Sequence, residues 1–283
     1  MNKSFRITFD ISLKQSAILA VAVVAGVLLV KGWVSFAQSH ELNAKHGVAG
    51  LASPAAPRLA ANPTVDQSAD ALLDGFRHVE VASIADAIEQ LYGKKMYMSH
   101  RMHSIFPTHF AGYALTILFK KQEHKEGSAG VKGELDAIDE GAPNSVFVKT
   151  MEDGEDIAGM GGLMGTAMSA RDFAGAVIDG GVRDTAYLRK IAFPVYSPGE
   201  VPSTSVNHYQ FAGANIPITC DGVPVKPHDI VVADSDGVVV VPQEHASEVL
   251  TLAQKLDFQE HSMYPLIEQH KSVQAAVKIF GRI

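Results

Sequence analysis

The 283-residue sequence predicts an α/β fold with parallel strand pairing, and three observations carry that prediction. Between Gly161 and Ser197 helical and strand patterns alternate in a βαβ rhythm, in which a helix crosses over between parallel strands. Short apolar runs such as Ala176–Ile178 and Val238–Val241, each opened by a glycine, have the length of buried strands. A hydrophobic content of 47%, with ordinary Gly and Pro counts of 24 and 13, supports a packed core and excludes collagen-like and disordered classes.

The chain divides into four expected segments. Lys3, Arg6 and Lys14 flank a 14-residue apolar run, Ala17 to Val30. A transmembrane helix needs about 20 such residues, so residues 1–37 read as a signal peptide. Ser35-Phe36-Ala37 supplies the small residues for cleavage before Gln38, so a periplasmic or exported mature chain is expected. An uncleaved inner-membrane anchor is the alternative. Loss of Lys3, Arg6, Lys14, Lys31 and Asp10 would move the net charge from −7 to −10. That balance argues against nucleic-acid binding, which needs a basic face to neutralise phosphates. Residues 38–70, with Pro54, Pro57 and Pro63, read as a linker. Residues 71–260 form the expected folded domain and residues 261–283 a helical tail.

Within the domain, Ser83 to Asp86 resembles a capping box opening a helix that Gly93 ends. Tyr113–Phe119 and Ser145–Lys149 are strand candidates, with a polar connection at 120–132. A helix is expected from Gly161-Gly162 to Arg171, a strand over 176–179, a helix over 184–191 and a strand over 193–197. Strands follow at 216–219, 229–233 and 238–241, the last two joined by a turn at Asp234 to Gly237. Val249, Leu252, Ala253 and Leu256 then repeat at helical spacing.

The strongest chemical signal is Gly161-Gly162-Leu163-Met164 followed by Arg183-Asp184. A glycine pair at a helix start exposes backbone N–H groups with the helix dipole behind them, an anion site. Arg183 and Asp184 lie just past the carboxyl end of a strand, where parallel α/β sheets bind ligands. The same residues also read as structure: a tight turn, a surface ion pair, and Asp184 as N-cap of the helix that follows. Periodicity alone leaves the two readings open.

Other groups point to structure. His100, His103 and His109 lack zinc-site spacing, and Ser203 with His208 lacks a nucleophile elbow. Asp234 and Asp236 read as turn residues, Cys220 as a buried thiol, and Met96, Met98 and Met102 as packing for a core or subunit face.

Residues from about 80 to 260 resemble the RraA-like family, which includes the 4-hydroxy-4-methyl-2-oxoglutarate aldolases. The resemblance rests on Gly162 and Arg183 with twenty residues between them, on AVIDGGVRD at 176–184, on Phe193-Pro194-Val195, and on DIVVADSDGVVVVP at 229–242. It implies the swivelling α/β/β domain, with mixed sheets and flanking helices, assembled as a homotrimer or a hexamer. It further implies a class II-type, metal-dependent lyase of small keto acids. Oxaloacetate decarboxylation and 4-hydroxy-4-methyl-2-oxoglutarate cleavage share a pyruvate enolate as intermediate. By resemblance Asp184 holds Mg²⁺ or Mn²⁺, Arg183 contacts the keto acid, and the amides of Gly161, Gly162, Leu163 and Met164 hold its carboxylate. The sequence departs from the family at two acids: Gly162 and Tyr187 stand where aldolases carry carboxylates. Retro-aldol cleavage needs a base for the hydroxyl proton, whereas decarboxylation does not, so decarboxylation is the favoured expectation. Glu155 and Asp156 are the nearby acids that could substitute. A non-catalytic binding or regulatory protein is the alternative, since RraA itself acts by binding a ribonuclease. A methyltransferase is disfavoured because no glycine-rich cofactor fingerprint is present.

Overall fold

The computed structural model describes residues 69–281. The expected signal peptide or anchor and nearly all of the linker lie outside them. Helices α1 (Ala69–Phe76) and α2 (Val81–Tyr92) precede strands β1 (His103–Ser104) and β2 (Phe110–Lys121). Then come α3 (Lys132–Glu140), β3 (Ser145–Met151), β4 (Ala158–Met160) and α4 (Gly162–Ala170). These are followed by β5 (Gly175–Asp179), β6 (Gly181–Val182), α5 (Thr185–Lys190), β7 (Val195–Ser197) and β8 (Gly199–Glu200). The remainder is β9 (Tyr209–Ala214), β10 (Ile218–Cys220), β11 (Val223–Val225), β12 (Ile230–Asp234), β13 (Gly237–Val241), α6 (Ala246–His270) and α7 (Val273–Phe280). Helix α6 runs unbroken across residue 260.

The main sheet has eight strands in the order β1-β7-β5-β3-β2-β12-β13, with β9 also on β2. Its centre is parallel, β2 with β3, β3 with β5, and β5 with β7, the last being the pair that the βαβ rhythm predicts. The fold is therefore the expected mixed α/β one, with helices flanking the sheet. Strand β2 is long enough to serve two antiparallel partners, β12 along its first half and β9 along its second.

Side chains alternate between two cores, because successive Cβ atoms of a strand point to opposite faces. On one face Val146, Val148 and Val177 pack with Ile84 and Ile88 of α2 and with Val249 and Ala253 of α6. On the other, Phe147, Met151, Ala176 and Ile178 pack with Ile138 of α3, Met168 of α4 and Leu188 of α5. Both faces are covered, which is why β3 and β5 read as apolar runs.

Two local expectations are corrected. Helix α2 begins at Val81, so Ser83 and Asp86 lie inside it; Glu80 is the N-cap residue and makes no side-chain cap. Ser83 is buried against the core instead. Segment 120–132 is not all connection: β2 extends to Lys121 and a short 3₁₀ turn covers Gly127–Val131. Gly93 does end α2, in a left-handed conformation with its N–H on the Glu89 carbonyl. Asp234 and Asp236 are turn residues, with the Asp234 carboxylate accepting from the Asp236 and Val81 N–H groups. Met96, Met98 and Met102 are buried in the first core.

Candidate active site

A second, three-stranded parallel sheet, in the order β4-β6-β8, builds the site. Each strand delivers a functional segment from its carboxyl end. Strand β4 runs into Gly161-Gly162, β6 into Arg183-Asp184, and β8 into the loop holding Ser203. The Arg183 N–H donates to the Met160 carbonyl at 3.1 Å and ties the first two turns together. Arg183 in turn donates from Nη1 to the Ser203 carbonyl at 3.2 Å.

Gly161 has extended backbone, and its carbonyl accepts the first α4 hydrogen bond, from Gly165 N–H. The Gly162, Leu163 and Met164 N–H groups precede that bond and lack partners within the helix. Asp184 Oδ2 accepts from the Gly162 N–H at 2.8 Å. The carboxylate thus sits at the positive end of the α4 dipole. The structural alternative, Asp184 as a cap of the helix that follows, is not what is seen. Asp184 occupies the N-cap position of α5 but makes no side-chain cap there; it serves α4, 22 residues earlier. Asp184 also adopts a left-handed backbone, φ 57°, a sparsely populated conformation that concentrates at functional sites.

Crowding is severe at Gly161 and milder at Gly162. A Cβ on Gly161 would lie 2.7 Å from Asp184 Oδ2 and 3.0 Å from Arg183 Cγ. A Cβ on Gly162 would lie 3.2 Å from Tyr187 Cδ1 and 3.4 Å from Asp184 Oδ2. The Tyr187 ring thus borders the space that an acidic side chain at position 162 would enter. Tyr187 also accepts from the Thr166 hydroxyl at 3.4 Å.

All six residues singled out from the sequence converge on this corner of the molecule. Gly162, Leu163, Thr166, Asp184, Ala186 and Tyr187 line an open pocket of about 400 Å³. Arg183 and Asp184 also face an adjoining pocket of about 230 Å³ beside Glu200. The Arg183 and Asp184 side chains are 43% and 51% exposed, so both are open to a ligand. Their own separation, 3.9 Å from Nε to Oδ2, is that of a loose ion pair. Glu200 is engaged by Thr185 and Arg189, and the Thr185 hydroxyl, with Arg189, holds its carboxyl below the usual range.

Asp184 is the carboxylate available for a cation. Among the described residues no group of three or more His, Cys, Asp or Glu side chains is placed to hold a metal. A single hard oxygen donor with water in the other positions suits Mg²⁺ or Mn²⁺ rather than a protein-caged zinc.

The substitute acids lie elsewhere. Glu155 pairs with Arg101 at 2.6 Å, and Glu155 and Asp156 line a separate cleft of about 540 Å³ with Lys121, Glu123 and His208. Ser203 and His208 form no pair: Ser203 Oγ accepts from Ala158 N–H, while His208 meets Glu123. His103 Nδ1 is 2.8 Å from the Arg101 carbonyl. Ser203 as the holder of Arg183 is invisible in the sequence, because a backbone carbonyl in a loop leaves no residue-type signal.

Residues 81–240 match the sequence profile of the RraA-like family, Aldolase/RraA. Over 128 residues the chain is 32% identical to a Halalkalibacterium halodurans protein with the provisional name 4-hydroxy-4-methyl-2-oxoglutarate aldolase. That stretch is 43% of this chain and 57% of the relative. Over 84 residues, 30% of this chain, it is 29% identical to the 4-hydroxy-4-methyl-2-oxoglutarate aldolase of Thermus thermophilus, spanning 51% of that protein. The chain therefore spans only about half the length of these relatives. Among solved structures, an uncharacterized Pseudomonas syringae protein shares 27% identity at a TM-score of 0.65, over 73% of this chain and 96% of its own. RraAS2 of Streptomyces coelicolor, described as an unusual member of the RNase ES inhibitor RraA protein family, shares 25% at 0.60, over 68% and 96%. With a profile match covering over half its length and these structural neighbours, the chain belongs to the RraA-like family.

Proposed function

We propose that this protein is a carbon–carbon lyase that cleaves small keto acids through a pyruvate enolate, with oxaloacetate decarboxylation favoured over 4-hydroxy-4-methyl-2-oxoglutarate cleavage. The observation that carries the reading is the convergence of an α4 N-terminus, Arg183 and Asp184 at the carboxyl ends of two parallel strands. The names of the relatives support a lyase of the aldolase type.

The Leu163 and Met164 N–H groups, beside the Gly162 N–H that Asp184 already holds, receive the keto acid's carboxylate, and the Arg183 guanidinium lies against its keto oxygen. In decarboxylation the bond from C3 to the distal carboxylate breaks and its electron pair forms the enolate. Carbon dioxide leaves, and a proton from solvent returns to C3 to give pyruvate. Arg183 stabilises the negative charge that develops on the oxygen. Asp184 is the residue that would hold a divalent cation, which supplies further stabilisation of that oxygen. The aldol route also needs a base for the hydroxyl proton, and position 162 offers none. Assembly as a trimer or hexamer is part of the proposal; Leu163, 89% exposed beside the pocket, leaves an apolar side chain for a neighbouring subunit to cover.

Titration with oxalate, which has the charge and shape of a pyruvate enolate, tests the reading. On this reading the protein should bind oxalate in the presence of Mg²⁺, and Arg183→Ala should lose that binding. Absence of binding by the unaltered protein would favour the second reading, a non-catalytic binding protein, to which Gly162 and Tyr187 give weight.

A further inference from the structure

Beneath the site lies a buried ion pair that the lyase chemistry does not use. Lys149 of β3 and Glu134 of α3 are 0% and 2% exposed, with Nζ 2.6 Å from Oε1. Lys149 occupies the phase of β3 that faces the second core, between Phe147 and Met151. Its ammonium also lies 3.6 Å from the centre of the Phe119 ring. Burial pushes the carboxyl of Glu134 up and the amine of Lys149 down, and the attraction between them offsets both. Such a pair costs desolvation energy, and a well-packed apolar pair often does as well or better. Its presence therefore asks for a second role.

The third partner of Lys149 supplies one. Nζ also donates to the Gly159 carbonyl at 2.8 Å. Gly159 is the odd residue of a β-bulge: Ala158 pairs with Gly181 and Met160 with Val182, leaving two steps of β4 against one of β6. The extra residue of a bulge is left without a ladder partner, and bulges beside active sites re-aim the chain that follows. Here the chain that follows is Met160-Gly161-Gly162. Strand β4 is also the edge of its sheet, so the outward carbonyl of Gly159 meets no further strand. Neighbours fill the other directions, since a Cβ on Gly159 would lie 2.6 Å from Met151 Sδ and 2.8 Å from Ile178 Cγ2.

We infer that Lys149, held by Glu134, is a positioning residue that locks the Gly159 bulge and so aims the Gly161–Gly162 amides at the Arg183–Asp184 turn. The inference concerns the geometry of the site and holds whichever keto acid is turned over. Lys149 has no exposed surface, so its role is exerted through the Gly159 carbonyl and not by contact with substrate.

Two variants separate positioning from bulk stability. In Glu134→Gln the amide oxygen still accepts from Lys149, so the bulge stays locked while the counter-charge is lost and the melting temperature falls. In Lys149→Met/Glu134→Leu both charges are replaced by apolar groups, so most of the stability returns while the Gly159 carbonyl loses its donor. Hydrogen exchange of the peptide spanning residues 158–166, read against melting temperature, gives the answer without any substrate. Failure of the lyase reading therefore leaves this test intact. The expected result is inverted order: parental exchange in Glu134→Gln, and exchange about tenfold faster in the double variant, the size of one charge-assisted hydrogen bond. Exchange that simply follows melting temperature would overturn the inference. If the double variant does not fold, urea-dependent exchange of the unaltered protein decides. The Gly162 and Arg183 amides should open only together with β3, and a local, urea-independent opening of those amides would overturn the inference equally.

Discussion

Replacing Asp184 by Asn and by Ala separates its two tasks. Asp184 accepts the Gly162 N–H at 2.8 Å and offers its charge to the pocket. Asn keeps an oxygen for that N–H and tolerates the left-handed backbone at φ 57°. What Asn removes is charge at the α4 N-terminus, worth about 0.3–1 kcal/mol at a partly exposed site. Ala removes the acceptor as well, a loss of about 0.5–2 kcal/mol for a capping contact, and adds strain from the positive φ. For a domain of this size about 1 kcal/mol moves the melting temperature by roughly 2–4 °C. Asp184→Asn should therefore melt within a few degrees of the parent and Asp184→Ala several degrees lower. Activity should order differently. Both variants lose the cation site, and loss of one electrostatic stabiliser of a developing oxyanion costs about 10²–10³-fold in kcat. Thermal unfolding, calorimetric Mg²⁺ titration and decarboxylation kinetics together provide the assay. Unchanged Mg²⁺ affinity in Asp184→Asn would refute its assignment as the ligand. Equal melting temperatures for the two variants would refute the capping role.

Other outcomes follow from the same geometry. Gly162→Asp meets Tyr187 Cδ1 at 3.2 Å, and Gly162 is not in the left-handed region, so the ring and not the backbone is the obstacle. Gly162→Asp/Tyr187→Ala should raise hydroxy-keto-acid cleavage on the order of 10²-fold, with decarboxylation unchanged and the single variant gaining less. Equal gains in both reactions would contradict the base argument. Cys220 is fully buried, and burial pushes its thiol well up, so Ellman's reagent should react only after unfolding. Fast labelling of the native protein would show that this region opens. Export remains our proposal from the sequence: intact mass from the native host should show a start at Gln38, and a Met1 start in the soluble cytoplasm would refute it.

The parallel pairing of β5 with β7 was legible because both strands are short, apolar and separated by a helix; that of β3 with β5 was not, because β4 and α4 lie between them and β4 joins a different sheet. The glycine pair and Arg-Asp were legible because helix N-termini and strand ends are where α/β folds place anion chemistry. What escaped has definite causes. Strand β4 is three residues with a bulge, too short for any period to register. Helix α3 is dominated by charged residues and buries Glu134, which a polar pattern assigns to solvent. The one available clue was that Lys149 falls in step with Phe147 and Met151 in a strand whose other phase, Val146 and Val148, is equally apolar, which leaves no solvent face for it. The contact of Asp184 with the α4 amide was not legible, because a cap across 22 residues depends on how β4 and β6 pair; the sequence offered only the adjacent helix as its capping alternative. Ser203 holds Arg183 through its backbone carbonyl, which no residue type announces.

The central claim is tested most directly by pyruvate release from the purified chain, with oxaloacetate and with 4-hydroxy-4-methyl-2-oxoglutarate, in Mg²⁺ and in excess chelator. The account predicts release above the uncatalysed rate with both substrates in Mg²⁺, a higher kcat/KM for oxaloacetate, and loss of both activities in chelator. No pyruvate from either substrate in Mg²⁺, or a rate indifferent to chelator, would contradict it.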